Sequence, residues 1–395
     1  MRSDGPAPAR PASAADLETY RLKVRKWLGS VMIPAASGGL EDRFARLRDW
    51  QRLMYRAGYV GVSWPRAWGG QGLTPLHQLV LNEELSRAHA PQPIGLIGLD
   101  VVGPSIARFG SAAQREQLPA LLAGEHIWCQ GFSEPGAGSD LAAISTKAVL
   151  DGDNLVVSGT KTWTSWGHKA DRCALLARTG ADGHRGLTYL IVDMHLPGVS
   201  ARPIRQMTGE SEFCQLFFDE VIVPAGNVVG RIGQGWEIAM DTLSHERGSY
   251  ALRRRVEIGV AFDDSVDAIA SVTGRQPQAL PAGRLEALGS AVVALEVLSA
   301  QNRATAERIM RAPGPSPLDS VDKLVLSWAE QRVFRSLYEL LGSAALTDTR
   351  TGLGLDAARV TGDYLYSRAA SIYGGSEQIQ LDIVAERLLG LPKDR

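Results

Sequence analysis

The chain has few cysteines. Three occur in 395 residues, Cys129, Cys173 and Cys214. They form no C-x-x-C pair and no His–Cys cluster, which argues against a disulfide framework and a zinc site and makes a reducing cytoplasm the expected setting. Charge of one sign is also lacking. The chain has 42 basic and 43 acidic residues, a net charge of -1, so no overall field draws it to nucleic acid or an anionic membrane. No run approaches the roughly 20 apolar residues that cross a bilayer, so membrane insertion is not expected. Residues 1–16 lack the apolar core of a signal peptide, and their Pro and Ala content marks a loose leader. Lysine is scarce beside arginine, which reflects genomic base composition rather than function. What remains is ordinary globular composition, 45% hydrophobic and 22% charged, which excludes wholesale disorder. The length suits two or three domains or subdomains.

The hydrophobic period changes twice along the chain, and no internal repeat is visible. From about Leu17 to Gly124 it is helical: Trp27, Leu28, Val31 and Met32 recur at helix spacing, as do Leu47, Trp50, Leu53 and Met54. Further helices are expected over Leu79–Ala88 and Gln114–Leu122, with a loop at Pro65–Gly72. From about Trp128 to Val229 the period is two. Asn154–Val157, between D-G-D and S-G-T, reads as one arm of a hairpin. Cys173–Ala177, Thr188–Val192 and Leu216–Val223 read as further strands of a small sandwich or barrel. From about Gly235 the pattern is helical again, with long segments at Leu285–Ile309, Leu318–Leu341 and Leu355–Ser371. The expected order is a leader at 1–16, a helical domain at 17–125, a β domain at 126–233 and a helical bundle at 234–395.

Four segments carry chemistry. Gln130–Asp140, Q-G-F-S-E-P-G-A-G-S-D, is a small-residue loop whose backbone N–H groups can approach a phosphate or a flat cofactor; a plain turn after a strand explains it equally. Gly159–Ser165, G-T-K-T-W-T-S, places a Trp among hydroxyls that can edge a flat ring, although by pattern alone Trp163 reads more readily as core. Ser244–Arg247, S-H-E-R, fills the gap in a helical stripe of Trp236, Ala239, Leu243, Tyr250 and Ala251. A carboxylate on a buried stripe must be paired or have a raised pKa, so Glu246 is a base or half of a structural ion pair with Arg247, or it lies on a solvated face if the phase is off by one. Ser371–Gln380, S-I-Y-G-G-S-E-Q-I-Q, is a sharp bend at Gly374–Gly375, after which Ser376 can cap a helix. That helix start is a ready anion site, and an ordinary helix–helix turn is the alternative.

In this order the segments resemble the acyl-CoA dehydrogenase family of flavoproteins, over about Leu17 to Leu391. The resemblance is carried by W-P-x-x-W-G-G-Q-G at Trp64–Gly72, F-S-E-P-G-A-G-S-D at Phe132–Asp140 and G-T-K-T-W-T-S at Gly159–Ser165. G-L-T-Y-L-I-V-D-M at Gly186–Met194 and I-Y-G-G-S at Ile372–Ser376 add to it. The family fold implies an N-terminal helical domain, a middle β-barrel or sandwich and a C-terminal four-helix bundle. FAD then lies between the last two, with its adenosine end reaching a neighbouring subunit. Phe132 and Ser133 match positions at the isoalloxazine. Gly138 and Ser139 match the loop beside the flavin and the thioester chain. Trp163 and Ser165 match residues over the ring and at its N5 edge. Ser376 and Gln378 match positions at the diphosphate and ribose, and Tyr373 matches an acyl-pocket aromatic.

Two departures sharpen the expectation. Many members place the catalytic Glu directly after the I-Y of the C-terminal motif, where this chain has Gly374. Another branch, resembling isovaleryl- and long-chain-type enzymes, carries it in an E-R pair of the first bundle helix, and Glu246–Arg247 match that pattern. Glu377 then reads as helix-start charge. The R-x-x-F-G segment that grips FAD across subunits in many members is replaced by Phe262–Asp263–Asp264, and a later G-G-x-G is reduced to Leu341–Gly342–Ser343. Such loss resembles members built as unequal subunit pairs.

The resemblance implies α,β-dehydrogenation of an acyl-CoA. Glu246 takes the α proton, the β hydride passes to flavin N5, and Arg247 and Gly374 lie at the substrate. An electron-transfer flavoprotein is the implied acceptor, and a homodimer or homotetramer is expected, with a heterotetramer as the alternative. Three other readings stay open: an oxidase using O2 on the same fold, an enzyme of carrier-protein-linked acyl groups, and a partner subunit of a heteromer. The Gly186–Met194 and Arg202–Phe213 segments resemble an actinobacterial branch that includes steroid side-chain enzymes, so a branched or bulky thioester is one expectation for the substrate.

Overall fold

The computed structural model describes residues 12–35, 40–180, 183–274, 280–312, 316–346 and 354–393; the side chains of residues 40, 246–251 and 344 fall outside that description. The chain forms two compact units, Met1–Glu246 and Arg247–Arg395.

The first unit begins with six helices: α1 (Ala14–Leu28), α2 (Leu40–Arg56), α3 (Pro75–Arg87), α4 (Gly103–Phe109), α5 (Ala112–Arg115) and α6 (Leu118–Leu122). Helix α1 starts three residues before the expected Leu17. The Asp16 N–H donates to the Ser13 hydroxyl, and the Ser13 N–H donates back to the Asp16 carboxylate at 3.0 Å. This capping box satisfies donors at the helix start. The single helix expected over Gln114–Leu122 is two short ones. Pro119 explains the break: it has no N–H, and its ring would clash with the carbonyl four residues back in a continuous helix. Tyr20, Val24 and Leu28 recur every fourth residue on the buried face of α1. Arg21 and Arg25 clamp the buried Glu84 of α3 at 2.9 and 2.8 Å.

Seven strands follow: β1 (Trp128–Gly131), β2 (Lys147–Asp151), β3 (Asn154–Ser165), β4 (Arg172–Arg178), β5 (Leu187–Asp193), β6 (Val199–Pro203) and β7 (Phe213–Pro224). They make one curled sheet in the order β1-β4-β2-β3-β7-β6, with β5 also paired to β4. The β2–β3 hairpin turns through Gly152 and Asp153, with Asp151 opposite Asn154. Gly152 has φ +57, which glycine adopts without penalty. Both faces of the sheet are covered, and the period of two sorts the side chains between two cores. On β4, Ala174 and Leu176 join a core shared with the helices, while Cys173, Leu175 and Ala177 join a second core on the other face. The three cysteines, distant in sequence, all lie in that second core. Cys129 and Cys173 are register partners across the parallel β1–β4 pair. All three are free and buried, and burial pushes the Cys129 and Cys214 thiols above their usual range.

Helix α7 (Gly235–Thr273) carries the chain from the first unit into the second. The second unit is a helical bundle built from the later turns of α7 with α8 (Ala282–Arg311), α9 (Leu318–Leu341), α10 (Ala357–Ser367) and α11 (Glu377–Ile383). Ile258, Phe262, Leu298, Leu326, Val333 and Leu337 lie in its core. Buried ion pairs cross it: Arg254 with Glu330 at 2.8 Å, and Arg308 with Asp319 at 2.8 Å and Asp322 at 2.6 Å. Among the described residues no helix is long and apolar enough to cross a membrane, and no group of three His, Cys, Asp or Glu could hold a metal ion.

Candidate functional site

The loop after β1 is held from behind by charge. Glu134 and Lys161 are both buried, and Lys161 is 0% exposed. The Lys161 ammonium donates to the Glu134 carboxylate at 2.8 Å and to the Phe132 carbonyl at 3.0 Å. The same carboxylate accepts the Ser145 N–H and hydroxyl, both at 2.7 Å, and the Thr146 N–H at 2.9 Å. Burial alone would raise the Glu134 pKa; the Lys161 charge and these hydrogen bonds outweigh it and hold the carboxyl well below the usual range. Burial lowers the Lys161 pKa against the pull of Glu134. The loop closes on itself through paired Glu134 and Ala137 backbone bonds and is tied to β3 by the Thr162 N–H donating to the Ser133 carbonyl at 2.9 Å. Phe132 is buried edge-on against Tyr189. Gly136, Gly138 and Ser139 face outward. A side-chain carbon added at Gly136 or Gly138 would meet nothing within 4 Å, so these glycines keep room rather than serve packing.

Trp163 is not in the core. Its residue is 60% exposed although Lys161, Thr162 and Thr164 beside it are buried. The β3–β7 register shifts between Lys161 and Thr164, and Trp163 adopts φ +58 there. A left-handed conformation is strained for a bulky side chain, and such bulges re-aim side chains at sheet surfaces. The indole therefore stands out beside the loop, touching Phe213 edge-on at 6.3 Å. Ser165 follows, half-buried and paired with Phe213 in the ladder. Phe132, Ser133 and Trp163 are thus brought together within the first unit.

The first turns of α7 are anchored by a polar cluster. Asp241, 4% exposed, accepts from the Ser105 hydroxyl at 2.7 Å, from Arg108 at 2.5 Å, and meets His245 Nε2 at 3.2 Å. Thr242 donates to the Ser105 hydroxyl at 2.9 Å. Burial opposes ionisation of Asp241; hydrogen bonds and charge from His245, Ser105 and Arg108 prevail and lower its pKa. The buried face here is Ile238, Ala239 and Thr242, with Trp236 and Leu243 half-buried beside it. Glu246, Arg247, Tyr250 and Ala251 lie on the same helix, and their side chains are outside the described residues.

The second unit gathers the remaining set on one turn. Gly374 and Gly375 have φ +64 and +91, and their carbonyls accept from the buried Gln380 amide at 3.1 and 3.3 Å. Ser376 caps α11, accepting the Ile379 N–H. Glu377 and Gln378 are exposed in its first turn. Tyr373 is half-buried with the Lys323 ammonium 3.9 Å from its ring centre. Phe262 is taken up in the bundle core, and Asp264 pairs with Arg359 at 3.2 Å.

Sequence reasoning missed Glu134, Lys161 and Asp241. The first two stood inside quoted motifs. The signal was a Lys and a Glu in otherwise small or apolar runs, where an unpaired charge is not tolerated. Asp241 meets Ser105 and Arg108 only through the fold.

Three family models match in succession: acyl-CoA dehydrogenase, N-terminal domain, over residues 14–125; middle domain, over 129–221; and C-terminal domain, over 233–389. The chain is 37% identical over 391 residues to acyl-CoA dehydrogenase IpdE1 of Mycobacterium tuberculosis, covering 96% of this chain and 99% of that one. Among solved structures it resembles the Tcur3481-Tcur3483 steroid ACAD, with a TM-score of 0.84, 28% identity and coverage of 97% and 99%. It also resembles a chain of the ChsE4-ChsE5 complex from Mycobacterium tuberculosis, with a TM-score of 0.77, 30% identity and coverage of 98% and 100%. The chain therefore belongs to the acyl-CoA dehydrogenase family, oxidoreductases that are generally FAD flavoproteins.

Proposed function

We propose that the protein catalyses FAD-dependent α,β-dehydrogenation of an acyl-CoA thioester, with Glu246 as the general base. The observation that carries this reading is Trp163, an indole held in the open at φ +58 on a strand whose neighbouring side chains are buried. Exposed aromatic area at a strained position suits a flat ring laid against it. The donor set fits FAD: Ser133 is tied to the strand beside Trp163 and Ser165 follows it on that strand, and a carbon added at Gly138 would meet nothing within 4 Å. Phe132 and Ser133 would hold the isoalloxazine from the loop, and Trp163 and Ser165 from the strand. Ser376 and Gln378 would meet the diphosphate and ribose. FAD held there would supply the two-electron acceptor for the β hydride.

Glu246 would take the α proton onto its carboxylate as the hydride leaves, so charge and atoms balance between base and acceptor. Arg247 would hold that carboxylate or the segment beside it. Ser139, Tyr373 and Gly374 would line the acyl thioester. The proposed domains are a leader at 1–16, a helical domain at 17–125, a β domain at 126–233 and a helical bundle at 234–395, with residues 1–11 outside the described part.

An anaerobic titration with acyl-CoA thioesters from butyryl to palmitoyl, isovaleryl and a steroid thioester tests this. Bleaching of oxidised flavin by one of them is the expected result. Bound flavin that no thioester bleaches turns the reading to a carrier-protein substrate, and rapid reoxidation in air turns it to an oxidase rather than a donor to an electron-transfer flavoprotein.

One set of observations favours a partner-subunit variant of this reading. Phe262 and Asp264, which replace the usual grip segment, are engaged within the bundle, and two of the structural relatives are named as two-component assemblies. Val293 and Trp328 expose apolar surface on α8 and α9, which suits an assembly face. Light scattering of the protein alone separates a homodimer or homotetramer from a chain that completes a heterotetramer. The steroid ACAD likeness supports a bulky thioester.

A further inference from the structure

We infer that Lys161 is a positioning residue for the flavin, fixing the Phe132–Ser133 peptide so that the Ser133 N–H is presented as a donor to the isoalloxazine. The inference rests on the proposed FAD site and goes beyond it. A trans peptide points its C=O and the following N–H in opposite directions, and the described residues contain no cis peptide bond. The Phe132 carbonyl is drawn inward by the Lys161 ammonium at 3.0 Å. The next N–H, of Ser133, must then point away from the interior. It meets no acceptor among the described residues. The Ser133 carbonyl is in turn fixed by Thr162, which pins the next peptide of the loop.

The rest of the anchor is rigid as well. Lys161 is fully buried, and its charge is balanced by a carboxylate that has three further donors. A point charge with three donors can serve the carbonyl and the carboxylate at once. The ligand edge such an N–H fits is a hydrogen-bond acceptor that gains negative charge on reduction, as the flavin pyrimidine edge does. Lys161 therefore acts through the peptide rather than by touching the ring.

The test compares the full-length holoenzyme with Lys161→Met/Glu134→Gln, which removes both charges together and so leaves no buried ion uncompensated. Deflavinated protein is titrated with FAD, and the flavin midpoint potential and absorption spectrum are recorded. The expected result is FAD binding weakened by about five- to tenfold, the size of one net hydrogen bond. A potential shifted to more negative values is expected with it. Ser145→Ala, which removes one donor to Glu134 and keeps both charges and the Lys161 bond to Phe132, should bind FAD within about threefold of wild type on the same scale. If the double variant does not melt cooperatively, Lys161→Leu/Glu134→Leu replaces the pair by an apolar one of similar volume and carries the same expectation. Unchanged affinity, spectrum and potential in a folded double variant would overturn the inference and leave the FAD reading standing. Ser145→Ala losing as much as the double variant would assign the anchor to the carboxylate's own hydrogen bonds instead. Wild-type protein that binds no FAD would sink both.

Discussion

Asp241→Ala is the substitution whose effect is best worked from the structure. The Asp241 carboxylate is buried and serves three partners from two helices: Ser105, Arg108 and His245. Truncation leaves the buried Ser105 hydroxyl without its acceptor, at about 1–3 kcal/mol. Arg108 is mostly exposed, so losing that pair adds no more than about 1 kcal/mol. The His245 contact lies within one helix and is partly exposed, worth about 0.5 kcal/mol. Alanine's better helix propensity returns about 0.5 kcal/mol. The net expectation is a loss of about 1–4 kcal/mol near neutral pH. Asp241→Asn keeps an acceptor for Ser105 and should lose only about 1 kcal/mol on the same reasoning. Urea denaturation followed by tryptophan fluorescence and far-UV CD, at one saturating FAD concentration, reads both variants. The pH dependence has a fixed sign. A carboxyl with a lowered folded pKa contributes stability that is present above its unfolded value, about 3.9. That contribution disappears as pH falls through the folded value. The gap between wild type and Asp241→Ala should thus hold from pH 7 to 5 and narrow below about pH 4. Equal losses in Asn and Ala, or an Ala variant within about 0.5 kcal/mol of wild type, would refute the account of the cluster.

Four further outcomes are expected. Glu246→Gln should keep FAD and lower the rate of substrate bleaching by about 10^2–10^4-fold, the range for losing a general base; stopped-flow absorbance checks it, and an unchanged rate removes Glu246 from the mechanism. Trp163→Ala should loosen FAD while moving stability by less than about 1 kcal/mol, because its indole is exposed and touches only Phe213 among the recorded ring pairs; a large stability loss with normal FAD binding would return Trp163 to a packing role. Gly375→Ala should destabilise by about 1–3 kcal/mol, since φ is +91 and the new carbon would stand 2.2 Å from the Gln380 amide; a neutral melting curve contradicts the geometry. Native protein near pH 8 should leave its three cysteines unlabelled by a thiol reagent until it unfolds, because all are buried in one core; fast labelling of one of them would show that this face of the sheet opens.

The layer order was legible because each period has one physical cause. On β4 and β5 every second side chain enters one core and the alternate set enters the other, so runs such as L-T-Y-L-I-V-D read as strands whichever face is considered. Trp163 was less legible for the same reason. A strict period of two would send Lys161 and Trp163 to one face and Thr162 and Thr164 to the other. The register shift breaks that phase: Lys161 stays fully buried while Trp163, two residues on, is turned outward. A register shift depends on the partner strand β7, which the local pattern does not contain. The neighbouring Cys129 and Cys173 were hidden likewise, since a parallel pairing across more than forty residues leaves no mark in spacing. The motif residues could be read by resemblance, while the groups that hold their backbones came from the fold.

Lysine joins these points. Its scarcity reads as base composition, yet the described lysines do not all behave alike. Only Lys161 and Lys323 are buried, and each donates to a main-chain carbonyl next to a motif, Phe132 at 3.0 Å and Ala370 at 2.8 Å. Arginine would serve poorly in either place. Its planar fork suits a carboxylate or phosphate, whereas a compact ammonium on a flexible stem can reach one carbonyl and still meet a second group. At Lys161 the second group is Glu134, and at Lys323 it is the Tyr373 ring. A buried ammonium that bonds a loop carbonyl fixes the peptide plane and with it the direction of the following N–H. In an arginine-rich chain, a buried lysine beside a motif is therefore the residue to inspect for a loop whose backbone must face a ligand.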